Sequence, residues 1–193
     1  DKIIKRFNSM KYNLEEVKIC VIGLGYVGLP LAVEFSKKYP VVGFDLDKTR
    51  IKEIEEGYDR TNEISKQELT NLNQLKFSFS TKYIKKSNIY IITVPTPVDA
   101  QNMPDLKPIK SATKMVSSVL NHGDIIIYES TVFPGCTENI CVPIIEKKSN
   151  LIYNKEFFCG YSPERINPGD IKHTITKIKK VVSGSNKQIL NFI

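Results

Sequence analysis

Residues 21–28 have the sequence Val21-Ile22-Gly23-Leu24-Gly25-Tyr26-Val27-Gly28, an apolar end followed by three glycines spaced G-x-G-x-x-G. The apolar run before the first glycine is typical of a buried strand, and the residues after Tyr26 are typical of a helix. In such a turn, Gly23 permits the tight change of direction and Gly25 lets a ligand approach the backbone, while Gly28 lets helix and strand pack closely. The stretch therefore predicts a strand, a tight turn and a helix.

A turn of this kind suits a phosphate group. The amides near Tyr26 and Val27 begin the helix, so their N–H groups and the positive end of the helix dipole favour an anion. Asp45 ends the second apolar segment, where a carboxylate is expected to accept both ribose hydroxyls of an adenosine. The alternative is a structural turn with a helix-capping aspartate. Strand, turn, helix and acid together favour a dinucleotide.

The acid also bears on which dinucleotide binds. Arg50 and Lys48 lie within reach of the same ribose and would suit a 2′-phosphate, but a carboxylate at Asp45 repels that group. We therefore expect NAD rather than NADP, with Arg50 among the cofactor-binding residues.

Short apolar segments recur along the chain and alternate with helical ones, as in a parallel sheet covered on both faces. The strand candidates are Val17 to Ile22, Val41 to Asp45, Lys76 to Ser80, Ile89 to Val94, Asp124 to Glu129, Phe157 to Tyr161 and Lys179 to Ser183. The helix candidates are Tyr26 to Lys38, Lys48 to Glu56, Ser65 to Asn73, Pro108 to Asn121 and Thr137 to Lys148. The prediction is an α/β fold, a doubly wound parallel sheet of Rossmann type with strand order 3-2-1-4-5-6.

Composition excludes several other classes. The 193 residues carry 28 basic and 21 acidic side chains, a formal net charge of +7, but the basic residues are scattered and do not form a nucleic-acid-binding helix. Apolar runs are strand-length, far below the roughly 20 residues of a membrane span, and the first residues lack the parts of a secretory signal. We expect no nucleic-acid partner, no membrane contact and a cytoplasmic location.

Three further segments carry a resemblance to a known family. They are Val94 to Pro97 (Val-Pro-Thr-Pro), Glu129 to Gly135 (Glu-Ser-Thr-Val-Phe-Pro-Gly) and Gly160 to Gly169 (Gly-Tyr-Ser-Pro-Glu-Arg-Ile-Asn-Pro-Gly). Together with Gly23 to Pro30, they resemble the UDP-glucose/UDP-N-acetylhexosamine 6-dehydrogenases, from Val17 to about Ser185. The residues around Glu164 are most similar to the branch that acts on UDP-N-acetylated sugars in capsule, O-antigen and Vi-type polysaccharide pathways.

The resemblance implies an activity. Enzymes of this family oxidise the C6 hydroxyl of a UDP-sugar to a carboxylate, with two hydride transfers to NAD⁺ through an aldehyde and a cysteine thioester. The nucleophilic cysteine and an assisting lysine belong to parts of the family's chain that correspond to positions beyond residue 193. We therefore expect residues 1–193 to be an NAD-binding domain, truncated before the linking helix and the UDP-binding domain of a homodimeric enzyme.

The resemblance also implies roles for individual residues. Thr96 and Thr131 would contact the cofactor, Thr131 and Glu164 would serve catalysis, and Arg165 and Ile166 would contact the nucleotide sugar. Thr131 and Glu164 follow the fifth and sixth strand candidates, at the sheet edge where ligands bind in such folds. The structural alternatives are a helix cap for Thr131 and a solvated loop acid for Glu164.

The four cysteines show neither a C-x-x-C motif nor paired spacing, and two histidines accompany them. We predict no metal site. Cys159 ends a strand beside the proposed site, but free cysteine is among the most buried residue types, so a core role is favoured for Cys20, Cys141 and Cys159.

Two other functions stay open at this point. One is a UDP-glucose 6-dehydrogenase, which the same motifs allow. The other is a non-catalytic NAD-binding module that senses the cofactor. The UDP-sugar that the full-length protein oxidises distinguishes a UDP-glucose 6-dehydrogenase from an enzyme for UDP-N-acetylated sugars. The absence of a downstream cysteine and lysine would favour the cofactor-sensing module.

Overall fold

The computed structural model describes residues 13–98, 100–101, 103–163 and 178–193. Its centre is a sheet in which seven strands have the order β3-β2-β1-β4-β5-β6-β7. The first six strands run parallel, and β7 joins the edge antiparallel to β6. The predicted fold class and the predicted order of the first six strands are therefore confirmed.

The strands are β1 (Ile19–Ile22), β2 (Val41–Phe44), β3 (Leu75–Ser78), β4 (Ile89–Ile92), β5 (Ile125–Tyr128), β6 (Phe158–Tyr161) and β7 (Ser183–Gly184). The helices are α1 (Gly28–Ser36), α2 (Lys48–Glu55), α3 (Lys66–Thr70), α4 (Thr81–Ile84), α5 (Lys107–Ser117), α6 (Val142–Ser149) and α7 (Lys187–Phe192). A 3₁₀ turn (Leu14–Glu16) precedes β1, and a π-helical turn (Thr137–Cys141) leads into α6.

Successive residues of each buried strand enter opposite cores, because strand side chains alternate between the faces of a sheet. In β1, Ile19 and Val21 pack on the face covered by α1, α2 and α7, whereas Cys20 and Ile22 pack on the face covered by α4, α5 and α6. Both faces being buried explains why these strands are continuous apolar runs rather than alternating ones.

Several boundaries differ from the prediction. The predicted helix from Thr137 to Lys148 is divided, because its first five residues form the π-helical turn. The short helix α4 was not predicted, since a single turn has no apolar periodicity to detect. The last strand is Ser183–Gly184 rather than the longer segment from Lys179, and it is followed by α7.

The strand register explains why the residues that follow β1, β2, β4 and β5 lie at one edge of the sheet. Ile22 aligns with Phe44 on one side and with Ile92 on the other, and Ile92 aligns with Tyr128. The residues that follow these strand ends therefore converge at one edge. This carboxyl edge is where ligands bind in open parallel sheets.

Candidate functional site

A cavity of about 650 Å³ opens at the carboxyl edge, within the size range of small-molecule and cofactor pockets. Its walls come from the glycine-rich turn and from the ends of β2, β4 and β5. The lining residues are Gly23, Gly25, Tyr26, Val27, Asp45, Thr61, Thr93, Val94, Pro95, Thr96, Pro97, Glu129, Ser130 and Thr131. Seven of the predicted site residues lie in this wall: Gly23, Gly25, Tyr26, Val27, Asp45, Thr96 and Thr131.

The glycine-rich turn has the geometry that its spacing predicts. Gly23 has a φ of +94°, a conformation that side chains disfavour. A Cβ added at Gly28 would lie 1.8 Å from the carbonyl oxygen of Gly23 and 2.4 Å from Oγ1 of Thr93, so only glycine fits there. A Cβ at Gly25 would meet no atom within 4 Å. Gly28 thus serves helix packing, whereas Gly25 faces open space that a ligand can occupy.

The backbone at this turn suits an anion. The amides of Gly25, Tyr26 and Val27 donate to no protein acceptor in the described part of the chain, as expected at the start of a helix. They lie in the cavity wall at the start of α1, where the helix dipole adds positive potential. The turn therefore fits the pyrophosphate of a dinucleotide.

Asp45 is fixed beside this turn. Its Oδ2 atom accepts a hydrogen bond from the Leu24 amide at 2.7 Å, and its Oδ1 atom accepts one from the Asp47 amide at 2.9 Å. Each carboxylate oxygen can accept more than one hydrogen bond. A pair of ribose hydroxyls can therefore bind to a carboxylate whose orientation is already set.

Arg50 lies behind the turn and does not line the cavity. Its Nε donates to the carbonyl oxygen of Leu24 at 2.8 Å, and its Nη2 pairs with Oδ1 of Asp59 at 2.7 Å. Nη1 is buried and has no hydrogen-bond partner among the described residues. The predicted direct contact of Arg50 with the cofactor stays a prediction.

Asp59 also organises the loop after α2. Besides Arg50, its carboxylate accepts hydrogen bonds from Thr61, Glu63 and Ile64. Burial raises the pKa of Asp59, but these hydrogen bonds outweigh it and leave the pKa below its usual value. This loop carries Thr61 into the cavity wall. Thr61 was not predicted as a site residue, because its position depends on the hydrogen bonds of Asp59 rather than on periodicity.

The opposite wall is formed by the segments that follow β4 and β5. Thr96 donates from Oγ1 to the carbonyl oxygen of Thr131 at 2.6 Å, and Ser130 donates from Oγ to that of Val94 at 2.6 Å. These bonds cross-link the two segments. Thr131 is exposed and lines the cavity, and the N-cap position of the following π-helical turn is Cys136. The alternative that Thr131 is a helix cap is therefore wrong.

The segments after β4 and β5 contribute one charged residue to the cavity lining, Glu129. Glu129 directly follows β5, its side chain is buried, and it accepts a hydrogen bond from Nζ of Lys180. Glu129 was predicted as the end of the fifth strand, but its contact with Lys180 was not predicted, because that contact depends on the pairing of β6 with β7.

The predicted residues Glu164, Arg165 and Ile166 lie outside the described residues, so their roles stay predictions. The described chain reaches Pro163, and the Ser162 amide donates to the Tyr128 carbonyl at 2.9 Å.

The cysteines are buried, as expected for Cys20, Cys141 and Cys159. Burial raises the pKa of each of these thiols, and it raises that of Cys136 to about 11. These groups are therefore thiols at neutral pH and poor nucleophiles. Across the described ranges, no three acidic, histidine or cysteine side chains are grouped to hold a metal ion, and no helix is long and apolar enough to cross a bilayer.

Comparison with known proteins agrees with this geometry. Residues 17–191 match the model of the UDP-glucose/GDP-mannose dehydrogenase family, NAD binding domain. The chain is 54% identical over 182 residues to a UDP-N-acetyl-D-glucosamine 6-dehydrogenase of Salmonella typhi, covering 94% of this chain and 43% of the relative. It is 52% identical over 180 residues to the enzyme of that name from Pseudomonas aeruginosa, covering 93% of this chain and 43% of that protein.

A solved structure has the same fold. It is the UDP-D-ManNAc dehydrogenase of Pyrococcus horikoshii, with a TM-score of 0.82 and 32% identity over 91% of this chain and 43% of that one. The chain thus spans less than half the length of these relatives. The predicted resemblance to the branch named for UDP-N-acetylated sugars is confirmed. The chain belongs to the UDP-glucose/GDP-mannose dehydrogenase family and is its NAD-binding domain.

Proposed function

We propose that this chain is the NAD-binding part of an enzyme that oxidises the C6 hydroxyl of a UDP-N-acetylhexosamine to a carboxylate. The observation that carries the proposal is the cavity at the carboxyl edge, where Asp45 and the free amides of the glycine-rich turn face one space. The similarity to UDP-N-acetyl-D-glucosamine 6-dehydrogenases supports the substrate class.

In this proposal, different residues of the chain bind different parts of the dinucleotide. Asp45 accepts the adenosine ribose hydroxyls, and the amides of Gly25, Tyr26 and Val27 donate to the pyrophosphate. The cross-linked segments at Thr96 and Thr131 then border the nicotinamide half. When bound, NAD⁺ supplies the hydride acceptor for each of two oxidations, and water supplies the second oxygen of the carboxylate.

The remaining roles concern the substrate. We propose that Thr131 and Glu164 stand beside the reacting C6, with Glu164 moving protons, and that Arg165 and Ile166 contact the nucleotide sugar. The family's cysteine nucleophile and lysine belong to the longer protein. We further propose that the longer enzyme is a cytoplasmic homodimer whose product enters a surface polysaccharide such as a capsule.

The test is NADH formation by the full-length protein, followed at 340 nm, with a panel of UDP-sugars. We expect turnover with UDP-N-acetylglucosamine or its epimers and little with UDP-glucose. Turnover with UDP-glucose alone would instead favour the UDP-glucose 6-dehydrogenase. A protein that binds NAD⁺ but oxidises no UDP-sugar would favour the cofactor-sensing module.

The 193-residue chain is the matched control. It should bind NAD⁺ yet form no NADH with any UDP-sugar, because all four of its cysteines are buried thiols. Steady NADH formation by the chain alone, abolished by Cys159→Ser, would show that the nucleophile had been misplaced.

A further inference from the structure

Thr61 lines the cavity, although it follows none of the strands whose ends form the other walls. It belongs to the loop between α2 and α3, whereas the remaining lining residues follow β1, β2, β4 and β5. Thr61 therefore brings a polar side chain to the cavity that the parallel topology alone does not place there. The contacts of its loop indicate which part of a dinucleotide this side chain meets.

The loop is bound to the start of α2, close to Asp45. Arg60 directly precedes Thr61, and its Nη1 atom pairs with Oδ2 of Asp47 at 3.1 Å. Asp47 is the N-cap of α2, and its amide donates to Oδ1 of Asp45 at 2.9 Å. Thr61 therefore lies on the side of the cavity where Asp45 accepts the adenosine ribose in the proposed function.

A second set of contacts connects the loop to the glycine-rich turn. The carboxylate of Asp59 accepts a hydrogen bond from the Thr61 amide at 3.0 Å and pairs with Nη2 of Arg50 at 2.7 Å. Nε of Arg50 donates to the carbonyl oxygen of Leu24, whose amide donates to Asp45. Arg50 and Asp59 are only 4% and 5% exposed. This buried network fixes Thr61, Asp45 and the turn relative to one another.

The hydroxyl group of Thr61 has a defined polarity. Its Oγ1 atom donates its only hydrogen to Oδ1 of Asp59 at 2.7 Å. A hydroxyl oxygen that donates its hydrogen can still accept hydrogen bonds through its lone pairs. Towards a ligand, Thr61 is therefore an acceptor, as the carboxylate of Asp45 is. The adenosine half of a dinucleotide has matching donors in its ribose hydroxyls and in the 6-amino group of adenine.

We propose that Thr61 is a further cofactor-binding residue, whose hydroxyl oxygen accepts a hydrogen bond from a donor of the adenosine half of NAD⁺. Asp45 and Thr61 then hold the adenosine through two acceptors that one hydrogen-bonded network keeps in place. The inference rests on the proposed function, because it requires the cavity to bind NAD⁺.

The experiment is a calorimetric titration of the 193-residue chain with NAD⁺. Thr61→Val removes the hydroxyl group but keeps the shape of the side chain, so NAD⁺ affinity should fall about three- to tenfold, the net value of one hydrogen bond. The loop should stay in place, because Oδ1 of Asp59 keeps its bonds from Arg50 and from the amide of residue 61. Thr61→Ser keeps the hydroxyl group and should bind NAD⁺ within about twofold of the wild type.

Three analogues identify the donor, and each lacks one candidate group of the adenosine half. They are the forms of NAD⁺ without the 2′-hydroxyl of the adenosine ribose, without its 3′-hydroxyl, and with hypoxanthine in place of adenine. Thr61→Val should weaken binding of NAD⁺ and of the analogues that retain the donor. It should not weaken the analogue that lacks the donor, because the hydrogen bond is already absent there.

Thr70→Val is the matched control. Thr70 is exposed on α3, outside the cavity lining, and its hydroxyl group donates to carbonyl oxygens of its own helix. This variant should leave NAD⁺ affinity unchanged. Unchanged NAD⁺ affinity in Thr61→Val would overturn the inference. So would a loss of equal size for NAD⁺ and all three analogues, because a purely structural role of Thr61 predicts that result.

The outcome is distinguishable from failure of the proposed function. If the full-length protein oxidises a UDP-sugar while Thr61→Val binds NAD⁺ as the wild type does, only this inference fails. If one analogue abolishes the effect of Thr61→Val but no UDP-sugar is oxidised, the adenosine contact stands and the proposed reaction fails. A chain that does not bind NAD⁺ overturns both.

Discussion

The Oδ2 atom of Asp45 lies 2.7 Å from the backbone nitrogen of Leu24, so the acid that follows β2 is hydrogen-bonded to the turn that follows β1. This bond fixes the carboxylate relative to the free amides of the same turn. The protein therefore loses little additional freedom when a ligand binds to both groups. The ribose and phosphate subsites are therefore one preorganised unit.

The first prediction concerns cofactor selectivity. The 193-residue chain should bind NAD⁺ more tightly than NADP⁺, because a 2′-phosphate would meet the carboxylate of Asp45. Asp45→Ala should narrow the gap by about ten- to a hundredfold, the range for hydrogen bonds to a charged group. Calorimetric titration with both cofactors measures it. Glu55→Ala, at an exposed position of α2, is the control, and equal affinity of the wild type for both cofactors would disprove the assignment.

The second prediction separates two glycines of one turn. Gly25→Ala should fold with a nearly unchanged Tm, because its Cβ enters open space, but should lose at least about tenfold in NAD⁺ affinity by blocking the pyrophosphate. Gly28→Ala should instead lower the Tm strongly, since its Cβ would lie 1.8 Å from the Gly23 carbonyl oxygen. Thermal unfolding and NAD⁺ titration of both variants provide the test. Unchanged NAD⁺ affinity in Gly25→Ala would contradict a phosphate site at this turn.

The strand order was predictable because each buried strand is an apolar run that ends at a residue with distinct chemistry. The glycine spacing and Asp45 placed two subsites at one edge, and parallel topology brought Thr96 and Thr131 to the same cavity. These are consequences of local pattern and of the rule that ligands bind at carboxyl ends.

The networks between distant segments were not predictable. Arg50 was predicted to bind the cofactor, but its ion pair with Asp59 behind the turn was not predicted. The contact of Lys180 with Glu129 depends on β7 joining β6, which no short-range pattern encodes. Side-chain partners across many residues follow from the assembled fold and not from spacing.

The third prediction concerns Glu164 in the full-length enzyme. General acid–base groups contribute about 10²- to 10⁴-fold, so Glu164→Gln should lower turnover within that range while NAD⁺ affinity stays nearly unchanged. Slower hydrolysis should also let the thioester accumulate. Mass spectrometry of the variant after mixing with NAD⁺ and substrate detects the adduct. Normal turnover with no adduct would show that Glu164 is an ordinary loop carboxylate without a catalytic role.

The fourth prediction concerns Asp124, which is buried directly before β5, at the edge opposite the cavity. Its carboxylate accepts a hydrogen bond from the Asn121 amide at 2.7 Å, but burial dominates and raises its pKa to about 7. The unfolded chain has an aspartate pKa near 3.9, so the folded state holds the proton more tightly. Stability should therefore fall as the pH rises from about 4 to about 7 and then level off.

Asp124→Asn keeps an acceptor for the Asn121 amide and removes the titration. Between pH 5 and pH 8 the variant should gain about 2 to 3 kcal/mol of unfolding free energy relative to the wild type, at ~1.4 kcal/mol for each pKa unit. Urea unfolding at both pH values measures this difference, and Glu55→Gln, an exposed carboxyl on α2, should show none. NAD⁺ affinity should not change, because the residue lies at the far edge of the sheet. An equal pH dependence in Asp124→Asn and the wild type would mean that Asp124 is ionised in the folded chain throughout this range.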